Sequence, residues 1–113
     1  DLAGRVEAKA IRVPVINVSA VDLVAGLARP TTADEINRLM NEVASGQSAG
    51  LLAYSDDPHA SVDFIHNPHS AIVDGCQTRM SGARLANVMV WFDNEWGYAN
   101  RMIDLAEYCL PYR

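Results

Sequence analysis

Two polar side chains at one strand-to-helix corner, Asn94 and Glu95, and one guanidinium, Arg12, are the groups best placed to do chemistry. An asparagine amide both donates and accepts, so at such a corner it can bind a ligand in either direction. A guanidinium near a strand end, beside Pro14, can grip a phosphate through a planar pair of hydrogen bonds. Each has a plainer use. Either Asp93 or Asn94 can cap the helix that follows, and Arg12 can pair with one of the fourteen acidic residues. His59, His66 and His69 with Asp63 suggest a metal only weakly, because His66 and His69 flank Pro68 in a turn. They read as surface groups, and no metal is expected. Cys76 and Cys109 lack the small-residue setting of an acyl-transfer nucleophile and read as packing.

The elements that must carry these groups follow from periodicity. Asn87 to Phe92 is β-branched, aromatic and apolar, so it reads as a buried strand. From Glu95 onward Tyr98, Met102, Leu105, Ala106 and Cys109 recur at helical spacing. The corner between the two faces the end of a sheet, where α/β enzymes hold ligands. Thr32-Ala33-Asp34-Glu35 is a capping box ahead of a stripe of Ile36, Leu39, Met40, Val43 and Ala44, with Gly46 as its stop.

Val6 to Val13 reads as a strand with Val6, Ala8, Ala10 and Arg12 on one face. Val15 to Leu27 reads as a long strand, apolar on both faces and therefore central and covered. Gly50 to Tyr54 and Ser70 to Asp74 are further strands, the latter continuing past Gly75 through Gln77 to Met80 and closing at Ser81-Gly82. Val62 to Phe64 alternates between them. The expected fold is α+β, a mostly antiparallel or mixed sheet covered by helices.

Composition narrows the classes. One domain suits 113 residues, half of them apolar and a fifth charged. A net charge of −5 argues against broad nucleic-acid binding. No apolar run approaches the ~20 residues of a membrane span. Two distant cysteines suit a reducing compartment, so a cytoplasmic setting is expected. None of the seven glycines lies two from another, so no G-x-G-x-x-G can hold a pyrophosphate. The opening Asp1-Leu2-Ala3-Gly4 suggests a fragment, a processed chain or a single excised domain.

Trp91-Phe92-Asp93-Asn94-Glu95-Trp96-Gly97-Tyr98 resembles the C-terminal signature of the glyceraldehyde-3-phosphate dehydrogenase family. The resemblance implies that Asn94 holds the nicotinamide carboxamide of NAD with Tyr98 close by. Ile11 to Leu23 is similar to a second block of that family, which implies that Arg12 binds the substrate phosphate while Asn17 and Asp22 are structural. Ser61 to Arg79 resembles the erythrose-4-phosphate dehydrogenase branch, with Cys76 in place of its usual threonine, and Ala99 to Met102 agrees with that branch.

The resemblance covers about the whole chain but about a third of a family member. It implies that residues 1–113 are the C-terminal part of a catalytic domain, with the dinucleotide-binding domain absent. The nucleophilic cysteine and its histidine would then lie upstream, leaving no catalytic residue here and an inactive isolated chain. In the whole enzyme that cysteine would attack erythrose 4-phosphate, hydride would pass to NAD, and water would release 4-phosphoerythronate for pyridoxal phosphate synthesis. Its partners would be the N-terminal part and further copies in a tetramer. Two rivals stay open: a glycolytic glyceraldehyde-3-phosphate dehydrogenase fragment, and a non-catalytic binding or scaffold module.

Overall fold

A computed structural model describes residues 2–110. In chain order the elements are β1 (Ser19–Gly26), α1 (Ala33–Ser45), β2 (Leu52–Ser55), a 3-10 turn (Ser61–Phe64), β3 (Ala71–Ser81), β4 (Leu85–Phe92) and α2 (Asn94–Cys109). One sheet orders them β1-β4-β3-β2. Its outer pair β2/β3 is parallel, and β1/β4 and β4/β3 are antiparallel. The α+β expectation holds.

The β3–β4 hairpin sets the frame. Gly82, at φ 60°, supplies the left-handed residue of its three-residue loop. Register slips between Asp74 and Arg79, so β3 runs on past Gly75 only by bulging. On one face Ala53, Ile72 and Trp91 pack with Val18 and Phe64, and Phe64 stacks on Trp91 at 5.7 Å. The Trp91 indole donates to the buried Asp74 carboxylate at 3.0 Å. Helix α1 lies against β2 and β3, tied by Asn37, which donates to the Gly75 carbonyl and accepts from the Thr78 hydroxyl.

Helix α1 forms where the sequence puts it, with Thr32 accepting from the Glu35 amide at 3.1 Å. The return half of the capping box differs. The Glu35 carboxylate takes the Thr31 hydroxyl and Arg29. Gly46 ends the helix at φ −112°, without the left-handed turn common at such glycines.

Three strand expectations fail. Residues 6–13 have no regular structure, and Val6, Ile11 and Val13 are exposed. An extended segment needs a neighbouring edge for its backbone groups, and none of the described strands pairs with it. The long strand begins only at Ser19, because Val18 sits at φ 70°, outside the extended region. It is an edge strand rather than a central one, with Val21, Leu23 and Val24 exposed. Apolar residues on both faces announce a covered strand, but the described residues do not supply the cover. The Val62 to Phe64 stretch is a 3-10 turn, not an alternating strand.

Helix α2 shows the same deficit. Its stripe of Tyr98, Met102 and Leu105 is exposed, and Gly97 is its one buried residue. What holds it is polar. The Arg101 guanidinium donates to the carbonyls of Gly50 and Pro68 and to the Ser70 hydroxyl, and pairs with Asp104 at 2.8 Å.

Candidate functional site

The corner after β4 is built on Asp93, which is 1% exposed. Its Oδ1 accepts from the amides of Glu95 and Trp96 at 3.1 and 2.9 Å, which caps α2. Its Oδ2 accepts from the Asn17 side-chain amide and from the His66 backbone amide, both at 2.9 Å. Burial raises the Asp93 pKa, but the four donors outweigh it and hold the carboxyl below the usual aspartate range.

A lowered pKa stabilises the fold fully above the unfolded value, about 3.9, and that contribution is lost as pH falls through and below it. Melting temperature should therefore be level from about pH 7 to 5 and drop below about pH 4. Glu35 is also lowered, by the Thr31 hydroxyl and then Arg29. An Asp93→Asn variant isolates the Asp93 share, and its acid limb should be shallower. An unchanged limb would assign the acid loss elsewhere.

Since Asp93 is the cap, Asn94 is the first residue inside the helix, exposed, and among the described residues its amide has no hydrogen-bond partner. Both its donor and its acceptor are open to a ligand. Asn94 lines an open hollow of about 220 Å³ with Ser70, Phe92, Asp93, Gly97 and Tyr98. The family resemblance implied that Tyr98 lies close to Asn94, and a helical offset of four brings the two to one wall.

Gly97 makes this corner close-fitting. A Cβ there would stand 3.0 Å from the His69 carbonyl oxygen, a backbone atom that cannot swing aside. Gly97→Ala should push the first turn of α2 off the His69–Ser70 backbone and cost about 1–3 kcal/mol of stability by overpacking. Chemical denaturation measures it. A stabilised variant, as helix propensity alone predicts, would mean that the contact yields freely.

Arg12 stands apart. It is exposed, lies in the segment without regular structure, and belongs to the wall of neither hollow described here. No described carboxylate pairs with it, so the ion-pair reading finds no support within residues 2–110. Pro14 to Asn17, just beyond it, line a second hollow with Ser61, Val62 and Ile65. Asp22 bonds Asn87 across the β1–β4 pair, as a structural residue should.

The histidines are engaged separately. The His59 ring meets the Ser55 hydroxyl at 2.9 Å, the His66 ring lies 4.6 Å from Trp96, and the His69 ring meets Asn67 at 2.8 Å. Among the described residues no three His, Cys, Asp or Glu side chains converge as a metal site. Cys76 and Cys109 are exposed rather than packed inside, and the Cys76 thiol donates to the Asp56 carbonyl.

Three features escaped the sequence reading. Asp93 is a junction as well as a cap, and its bond to Asn17 spans 76 residues. Val18 and His66 both have positive φ, at 70° and 61°. Left-handed backbone is costly for a β-branched residue and persists where neighbours over-determine it. Here Asn17 does so, accepting from the Val18 amide at 2.7 Å while donating to Asp93. Local pattern carries no signal for such a link. The one clue was small polar residues at two strand ends.

Residues 1–94 match the family described as glyceraldehyde 3-phosphate dehydrogenase, C-terminal domain. The chain belongs to this family. The match takes in Arg12, all four strands and Asn94, and it stops at the first residue of α2. As a glyceraldehyde 3-phosphate dehydrogenase C-terminal domain, the chain is a member of a family of NAD-dependent oxidoreductases. The mixed sheet with two helices is consistent with that domain. Tyr98 and the remainder of α2 lie beyond the match and stand on their own geometry.

Proposed function

We propose that this chain is the C-terminal part of the catalytic domain of an NAD-dependent erythrose-4-phosphate dehydrogenase. The observation that carries the reading is the division of labour at the corner, where Asp93 caps α2 and leaves the Asn94 amide unengaged on a hollow with Tyr98. That donor set fits a carboxamide, which needs one donor and one acceptor. NAD, when bound, supplies the hydride acceptor. Asn94 fixes the orientation of its ring, Tyr98 flanks it, and Arg12 holds the phosphate of the sugar, so that the reacting atoms meet in register. The pyrophosphate and the nucleophilic thiolate belong to other parts of the full-length protein.

The choice of erythrose 4-phosphate rests on the Ser61–Arg79 stretch and on Ala99 to Met102. A route toward pyridoxal phosphate and a cytoplasmic setting follow from that choice. The exposed apolar side chains of β1 and α2 support burial in a larger assembly, a tetramer in the whole enzyme.

The test is the full-length protein with NAD and each of two aldehydes, with and without inorganic phosphate. Erythrose 4-phosphate should be the better substrate, and added phosphate should not be required because water is the acyl acceptor. Faster, phosphate-dependent oxidation of glyceraldehyde 3-phosphate would place the protein in the glycolytic branch. Turnover of neither would favour a non-catalytic module.

A further inference from the structure

Three segments of the corner meet at one buried carboxylate. Asp93 caps the helix that carries Asn94 and Tyr98, binds the side chain of Asn17, and fixes the backbone of His66. Asn17 in turn holds Val18 in its left-handed conformation, which turns the chain from the Arg12 segment into β1. His66, which like Val18 takes a positive φ without being glycine, leads through Asn67 and Pro68 to His69 and Ser70, on which the start of α2 rests. Two strained residues from distant parts of the chain are thus tied to a single side chain. A helix cap alone needs one oxygen, and Asp93 uses the second to join three segments.

We propose that Asp93 is a positioning residue that couples the two halves of the site: it sets the Asn94–Tyr98 wall and, through Asn17, the direction in which the Arg12 segment leaves the sheet. This rests on the ligand roles proposed above for Asn94 and Arg12. The Asp93 carboxylate is 1% exposed and both its oxygens are taken by protein donors, so it acts through the groups it holds. An unpaired acceptor or a reversed donor at this junction shifts both halves together, whereas loss of a contact in one half shifts one ligand only.

The experiment is steady-state kinetics of the full-length enzyme in the Asp93→Asn and Asn17→Asp variants and the exchanged pair, below the melting temperature of each. In Asp93→Asn the new NH₂ confronts two donors, the Asn17 and His66 amides, and the Michaelis constants for NAD and for the sugar phosphate should both rise, each by about tenfold or more, as small displacements of positioned groups do. In the exchanged pair, the amide at position 93 donates to the carboxylate at position 17, whose other oxygen still accepts from Val18. The sugar-phosphate constant should then recover at least half of the loss on a logarithmic scale, a coupling that independent sites do not show. Should Asp93→Asn fail to fold, Asn17→Ala serves: it should raise the sugar-phosphate constant more than that for NAD.

Unchanged Michaelis constants in a folded Asp93→Asn enzyme with a lowered melting temperature would reduce Asp93 to a cap and overturn the proposal. So would an exchanged pair no better than the worse single variant. Arg12→Ala and Asn94→Asp run alongside separate the two failures. If they alter the constants and Asp93→Asn does not, the positioning role falls. If they do not in an active enzyme, the ligand roles fall first.

Discussion

Arg12→Ala in the full-length enzyme should lower the specificity constant for a phosphorylated aldehyde by about 2–4 kcal/mol, some thirtyfold to several hundredfold, while an unphosphorylated aldehyde loses little. The size follows from the bond type. Guanidinium to phosphate is charge-assisted and two-pronged, and removing it leaves a dianion short of its partner. The free state of Arg12 also matters. It is exposed, and no described carboxylate competes for it, so a ligand need not displace an existing ion pair. Its stability cost should be small for the same reason, since exposed substitutions away from structural contacts mostly stay within about ±0.5 kcal/mol. Equal losses for the two aldehydes would remove Arg12 from the phosphate subsite.

The second large effect is expected at Asn94. Asp93 already accepts the first free amides of α2, so Asn94→Asp leaves the cap intact and adds a negative charge where the helix dipole favours one. The fold should be unharmed or slightly firmer. Binding should not be. An ionised aspartate accepts but cannot donate, so the carboxamide oxygen of the nicotinamide loses its partner. The Michaelis constant for NAD should rise, or turnover fall, at least tenfold, roughly 1.4 kcal/mol. Melting temperature within a few degrees of the parent would show that the loss is one of contact and not of folding.

Local devices were readable in the chain and long-range ones were not. The stripe from Ile36 to Ala44 and the Thr32 cap sit on one helix, so α1 formed as its pattern predicts. The β4–α2 corner was equally legible, because the switch from a strand run to helical spacing occurs within a few residues. Which of Asp93 and Asn94 caps was not legible, as both can accept an amide. The choice is made by Asn17 and His66, whose donors reach Asp93 and hold it in place.

The apolar residues of Val15 to Leu27 read as a central strand covered on both faces, which the structure does not bear out. They could not name a cover, and β1 lies open at the sheet edge. Val6 to Val13 misled for a related reason. A strand pattern states a willingness to pair, and pairing needs an edge that the pattern itself does not name. Nothing in the type of Val18 foretells a positive φ, since a β-branched residue disfavours it and takes it here under the constraints around Asp93.

The central claim, that the Asn94 amide grips the nicotinamide carboxamide, is tested most directly by equilibrium binding. The full-length protein and its Asn94→Ala variant are titrated with NAD and with the analogue in which an acetyl group replaces the ring carboxamide. The analogue keeps the oxygen and lacks the NH₂, so it leaves the Asn94 acceptor unmatched while every other contact stays. The parent should bind NAD more tightly than the analogue by about tenfold, the value of one good hydrogen bond at such a site. In Asn94→Ala that preference should collapse toward one, with NAD losing most. The same NAD preference in both proteins would show that Asn94 does not touch the carboxamide.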